Sequence, residues 1–200
     1  RRAMADVLTR LFRRLGDEAL PFYYQLKDDS DSDILAAVST TSADLRFLDV
    51  DMWAENLVEL SNHELPVVRR NLVPSLREYF ETFPDDTRKL LPVMWQDGDE
   101  VVRTRMRELL IKMSDISSTQ FGARITDLNQ HGCDLSALWR LMDARRKGSS
   151  EAWKSWLSGE GEMPETIETM RHVSTMQAPE ELPDLSEALE TLDEELGFLD

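Results

Sequence analysis

The 200-residue chain contains a single cysteine, Cys133, and only three histidines. One cysteine excludes an intramolecular disulfide, so packing must hold the fold, and such usage suits a reducing compartment. His131 and Cys133 stand close together, but no second ligand pair at metal-site spacing accompanies them. Cys133 therefore reads as a partly buried thiol at a helix start, and no metal or cofactor is expected. Long apolar runs are missing too. None approaches the roughly 18 to 20 residues a membrane span needs. There is no phosphate-binding glycine loop, Gly-x-Ser-x-Gly elbow, His-Glu-x-x-His or Cys-x-x-Cys. The stretch "DDSDSD" at 28–33 has the acids of a calcium loop. It lacks the central glycine, however, and carries Thr40 where the twelfth-position Glu belongs, so it reads as an inter-helix turn. With no catalytic constellation in view, the expectation is that the protein is not an enzyme.

A basic excess is also absent. The net charge is −16 and its distribution is uneven: residues 1–150 hold 25 acids and 21 bases, residues 151–200 hold 14 acids and only Lys154 and Arg171. A duplex-binding protein normally shows a basic face, so nucleic acid is not the first expectation. The basic, amphipathic start "RRAMADVLTRLFRR" has the arginines of a transit peptide, but Asp6, Asp17 and Glu18 oppose that reading.

What the chain does have is an internal period. A shift of 34 residues aligns Asp33-Ile34-Leu35 with Val67-Val68-Arg69, Val101-Val102-Arg103 and Leu135-Ser136-Ala137. Continued backwards it puts Arg1, Leu35, Arg69, Arg103 and Ala137 in one column. Three residues on stand Met4, Val38, Leu72, Met106 and Arg140; then Leu8, Ser42, Leu76 and Leu110; then Leu11, Leu45, Tyr79 and Met113. Steps of three and four make one apolar stripe of a helix. Helix starts are expected near 33, 67, 101 and 135, with "STTS" at 39–42 degrading the second copy. The other half of the unit is looser. "LPFYYQLKDDSDSD" at 20–33 resembles "LPVMWQDGDE" at 91–100, and 43–61 and 118–130 supply equivalent helices. Pro66, Pro92 and Pro164 suit helix starts, whereas Pro74 predicts a late start or a kink.

Each unit thus reads as a helix, an acidic turn, a second helix and a connector. An acid at a helix N-terminus complements the dipole, and an Arg one turn in can bond acids of its own or the neighbouring turn. Asp97, Arg69 and Arg103 are accordingly expected to form a structural ladder. On "DGDEVVR" after "LLPVMW", with the looser copy His63 before Val68-Arg69, residues 1–147 resemble the HEAT-repeat (armadillo-like helical) superfamily. The unit "LPVMWQDGDEVVRTRMRELL" is most similar to those of type 2A phosphatase scaffold subunits. The 34-residue step is shorter than the usual HEAT unit, and Leu35 and Ala137 depart from the Arg column; the step suits tetratricopeptide repeats, whose Trp-Leu-Gly-Tyr signature is missing.

The resemblance implies an all-α right-handed superhelix, a HEAT-like solenoid of about four helix pairs, beginning inside a second helix and thus a fragment of a longer parent chain. It implies a non-catalytic scaffold or adaptor, intracellular (cytoplasmic or nuclear), binding a protein partner on the face of its second helices. There Arg70, Arg77, Thr104, Arg105 and Glu108 are the contact candidates. The alternatives are a nucleic-acid-binding helical-repeat protein, including the DNA alkylation repair type, through Arg69, Arg70, Arg103, Arg105 and Arg107, or a purely architectural segment of a giant solenoid.

Beyond 147 the pattern stops. Residues 148–164 read as a linker in which Trp153 and Trp156 either cap the last unit or anchor a partner. Residues 165–200 form an acidic helical tail: 165–176 read as one helix, and nine acids without a base follow Gln177. Leu185, Leu189, Leu192, Leu196 and Leu199 give that tail an apolar stripe, for docking on the array or folding on another chain. Docking would make it compete with a basic partner for the array surface.

Overall fold

The computed structural model describes residues 1–165; the acidic tail, with its leucine stripe and its proposed docking, lies outside them. The described residues are helical, with no strand among them. Eleven α-helices follow one another within them: α1 Arg2–Ala5, α2 Leu8–Leu15, α3 Leu20–Lys27, α4 Ser32–Thr41, α5 Val50–Ser61, α6 Pro66–Thr82, α7 Pro84–Trp95, α8 Glu100–Ile116, α9 Ser118–Gln130, α10 Ser136–Arg145 and α11 Ser149–Leu157. Two 3-10 segments, Gly16–Ala19 and Ser42–Phe47, join α2 to α3 and α4 to α5.

The helix starts follow from caps. The Asp99 carboxylate accepts the N–H groups of Val101 and Val102, Asp31 that of Asp33, and Asp49 those of Asp51 and Met52. Each satisfies donors that the first turn leaves orphaned. α6 has no side-chain cap and begins instead on Pro66, whose missing N–H is no loss there. The helices α4, α6 and α8 therefore begin at Ser32, Pro66 and Glu100, and α10 at Ser136.

The ends differ. α6 and α8 each run 17 residues, but α4 stops after 10. The hydroxyls of Ser39, Thr40, Thr41 and Ser42 all turn back onto carbonyls three or four residues earlier, competing with the helical ladder. Pro92, expected at a helix start, lies inside α7 near its C-terminal end, and Pro74 does not delay its helix. α6 starts at Pro66 and continues through Pro74 to Thr82, with no late start.

Two layers result. Along one, α4 packs on α6, α6 on α8 and α8 on α10; along the other, α5 packs on α7 and α7 on α9. α3 joins the second row by bonds to α5: Tyr23 Oη donates to Asn56 at 2.6 Å, and Lys27 pairs with Glu59 at 2.5 Å. The core lies between the layers. The columns Val38, Leu72, Met106 and Leu76, Leu110 are at most 1 % exposed, and Ile34, Val68 and Val102 are buried beside them. Val38, Leu72 and Met106, each worth about 1.5–3 kcal/mol of burial, are what fix the register of the helices. Met4 and Arg140, the two ends of that column, are exposed. α11 closes one end on α9 and α10.

Candidate functional site

The turn between α7 and α8 organises the best-defined polar constellation. Arg69, one turn into α6, bonds Asp97 with both arms of its fork, Nε at 2.7 Å and Nη2 at 2.9 Å. Its third nitrogen, Nη1, donates to the carbonyls of His63 and Glu64 at 2.6 and 3.0 Å. Asp97 also accepts the Asp99 N–H at 2.8 Å. Burial works against ionising Asp97, but the Arg69 guanidinium and that N–H outweigh it and hold its carboxyl below the ordinary carboxylate range. Next to it, Arg70 grips Asp99 with Nε at 2.8 Å and Nη2 at 2.5 Å. Arg70 thereby depresses the Asp99 pKa strongly. Two parallel forks thus tie α6 to the turn that starts α8.

A single-bonded counterpart stands two 34-residue steps earlier, with a largely exposed arginine. Arg1 pairs with Asp29 at 2.8 Å, 28 residues on, as Arg69 pairs with Asp97. Asp31 N–H bonds Asp29 as Asp99 N–H bonds Asp97. At the intervening step the Arg position is Leu35 and the acid position is His63, whose Nδ1 still accepts the Leu65 N–H at 3.1 Å. Arg103 would need its acid at 131, where His131 stands. It turns instead to the Asp97 carbonyl at 2.5 Å and to the Glu100 carboxylate.

A second recurring bond links the α4–α6–α8 row. Asn71 Nδ2 donates to the Ala36 carbonyl at 3.0 Å, and 34 residues on Arg105 Nη1 donates to the Arg70 carbonyl at 2.8 Å. The Arg70 carbonyl is the one that a helical N–H at position 74 would have satisfied. Pro74 has none, so the guanidinium of the next helix replaces it.

These bonds place the surface candidates. Arg70 is half-buried and engaged with Asp99, and Arg77 pairs with Glu81 along α6 at 3.0 Å. Thr104, Arg105 and Glu108 are exposed on α8. Arg105 and Glu108 border a shallow depression of about 230 Å3 together with Val73, Pro74, Leu109 and Lys112. Arg107 turns away from this group, toward Glu100 at 3.6 Å and the Trp95 ring. The five arginines 69, 70, 103, 105 and 107 therefore do not form one unpaired basic patch.

Trp153 of α11 is 5 % exposed and meets the Phe121 ring edge-on at 4.6 Å; Trp156 stands edge-on to Trp153 and covers Gly122 of α9. A Cβ at Gly122 would lie 3.0 Å from the Trp156 ring, so glycine there is what admits the indole. Cys133 is buried and its sulfur accepts from Gln96 Nε2 at 3.1 Å.

Three features escaped the sequence reading. The Arg1–Asp29 pair was legible in the 34-residue step, since Asp29 stands to Arg1 as Asp97 does to Arg69. The buried charges Arg124 and Asp127 of α9, 3.6 Å apart, carry no comparable signal; burial lowers the Arg124 pKa against the pull of Asp127. The third is an open groove between α5 and α7 that Tyr79 borders, a residue that reads simply as part of an apolar column. No family model, curated protein or solved structure matches the chain.

Proposed function

We propose that this chain is a non-catalytic scaffold or adaptor, a HEAT-like right-handed solenoid that holds a protein partner on the α6–α8 face. The observation that carries this reading is the use made of the arginines and acids: they are spent on bonds between successive units, which builds a rigid surface rather than a reactive centre. Arg69–Asp97, Arg70–Asp99 and Arg105 on the Arg70 carbonyl lock α6 to α8. What this leaves outward is Thr104, Glu108 and Lys112 around the depression that Val73, Pro74 and Leu109 line. A polar rim about a small apolar floor is the anatomy of a protein contact. The resemblance of residues 1–147 to phosphatase-scaffold repeats points the same way, and the reading carries with it an intracellular location, cytoplasmic or nuclear. The nucleic-acid reading loses support because its arginines are internally paired.

The test is affinity capture with the full chain and two variants. Thr104→Glu with Glu108→Arg reverses the α8 surface, whereas Thr119→Glu alters an exposed position of α9 in the other layer. A partner held by the wild type and the α9 variant, and lost with the α8 variant, supports the proposal. Equal capture by all three refutes it, and a steeply salt-dependent gel shift of duplex DNA would install the alternative.

A further inference from the structure

If the α6–α8 face is a protein contact, on which this inference rests, its charges specify the chemistry of the partner. On α6 they are committed in pairs: Arg70 is held by Asp99, Arg77 by Glu81 and Glu78 by Arg46. The end of the face toward α10 differs. Lys112 of α8 is exposed at the border of the depression and makes no ion pair among the described residues. One turn further along α8, Asp115 takes Arg146 from the end of α10 at 3.3 Å. That bond brings the segment Arg145-Arg146-Lys147 to the end of α8 that carries Lys112. Arg145 and Lys147 are exposed and likewise make no ion pair among the described residues. Four cations thus gather around one acid, in a chain whose net charge is −16.

The depression beside Lys112 measures about 230 Å3. A small-molecule site spans about 300–1,000 Å3, so this one suits a single aliphatic side chain of a peptide. Val73 and Leu109 are 3 % and 8 % exposed, so the contact surface is the exposed Pro74 ring with the methylene stems of Arg105 and Lys112. At physiological ionic strength the Debye length is about 8 Å, so a bound segment senses the cations beside it rather than the net charge of the chain. Among the described residues, none of the exposed aromatic rings lies on α8 or α10, so nucleic-acid bases find no stacking platform there. We propose that the partner held on this face presents an acidic segment, an aliphatic anchor followed by a run of Asp and Glu. The anchor rests on Pro74 between Arg105 and Lys112, and the carboxylates meet Lys112, Arg145, Arg146 and Lys147. Exposed pairs of this kind are weak one by one; together they select the partner and speed its encounter.

The test measures the anisotropy of acetylated peptide amides, each carrying the same neutral dye, against the full chain at about 0.15 M salt. The probes are Leu-Leu-Asp-Glu-Asp-Glu, its uncharged counterpart Leu-Leu-Asn-Gln-Asn-Gln, and Ser-Ser-Asp-Glu-Asp-Glu, which lacks the anchor. The first should bind at least about tenfold more tightly than the second and about threefold more tightly than the third, and should weaken several-fold at about 0.5 M salt. Lys112→Glu with Arg145→Glu should weaken it at least about tenfold, while Lys89→Glu, an exposed change on α7 in the other layer, stays within about twofold. All chains should share one thermal transition. Equal binding of the charged and uncharged probes, no binding of either, or indifference to Lys112→Glu with Arg145→Glu would overturn the proposal. Tighter binding of single-stranded octathymidylate than of the acidic peptide would overturn it in favour of nucleic acid. The face and its acidic segment fail separately. A captured partner lost with Thr104→Glu and Glu108→Arg, beside an acidic peptide indifferent to Lys112→Glu with Arg145→Glu, keeps the face and removes the segment. Capture indifferent to the Thr104 and Glu108 changes removes the face and this inference with it.

Discussion

Removing the Asp97 carboxylate should destabilise the protein strongly. Asp97 is 6 % and Arg69 15 % exposed at the side chain, so the pair is nearly out of solvent. Asp97→Ala breaks two charge-assisted bonds, strips the acceptor from the Asp99 N–H and leaves Arg69 with only the His63 and Glu64 carbonyls. Breaking a buried pair costs about 3–5 kcal/mol; the retained carbonyls place this one near the lower end, about 3 kcal/mol. For a chain of this size that is a fall of about 6–12 °C in Tm. The assay is urea unfolding followed by tryptophan fluorescence for wild type, Arg69→Ala, Asp97→Ala and the double variant. Because the two side chains mainly serve each other, the double variant should cost less than the sum by about 1.5–3 kcal/mol. A coupling below about 0.5 kcal/mol, the value of an exposed ion pair, would refute the reasoning.

Three further outcomes follow from the same bonds. Asp97 and Asp99 both have folded-state pKa values below their unfolded ones, so their stabilisation is complete above the ordinary carboxylate pKa of about 3.9 and fades as pH falls below it. The urea midpoint should therefore drop between pH 5 and pH 3, and drop less in Asp97→Asn with Asp99→Asn. Arg105→Met should cost about 1 kcal/mol in the wild type and measurably less in Pro74→Ala, where the backbone N–H restored at position 74 can satisfy the Arg70 carbonyl; equal costs would show that Arg105 does not replace the missing bond. His131→Asp should give Arg103 the acid that Arg69 has, raising stability by about 0.2–1 kcal/mol at this exposed position, and more than the same change made in Arg103→Met.

Much of the helical register was legible because burial acts on a period. Val38, Leu72 and Met106 recur at 34 residues, and all three are buried on helices that begin where Asp31, Pro66 and Asp99 allow. The short α4 was legible in "STTS", since hydroxyls compete locally for helix carbonyls. The early start of α6 despite Pro74 was not, because the bond that offsets the proline comes from Arg105 on another helix. Arg70 was expected on an open face for the same reason: its partner Asp99 is 29 residues away. Tyr79 shows the limit most plainly. In sequence it completes an apolar column; only the packing around it leaves its buried hydroxyl without a hydrogen-bond partner among the described residues.

The central claim, that the α6–α8 face holds a protein partner, is tested most directly by the affinity of one purified partner for three chains. That partner is whichever protein the wild type retains, measured by isothermal titration. Thr104→Glu with Glu108→Arg should weaken it at least about tenfold, with Thr119→Glu within about twofold of wild type and all three sharing one urea midpoint. Unchanged affinity in the α8 variant, or loss confined to the α9 variant, would contradict the account.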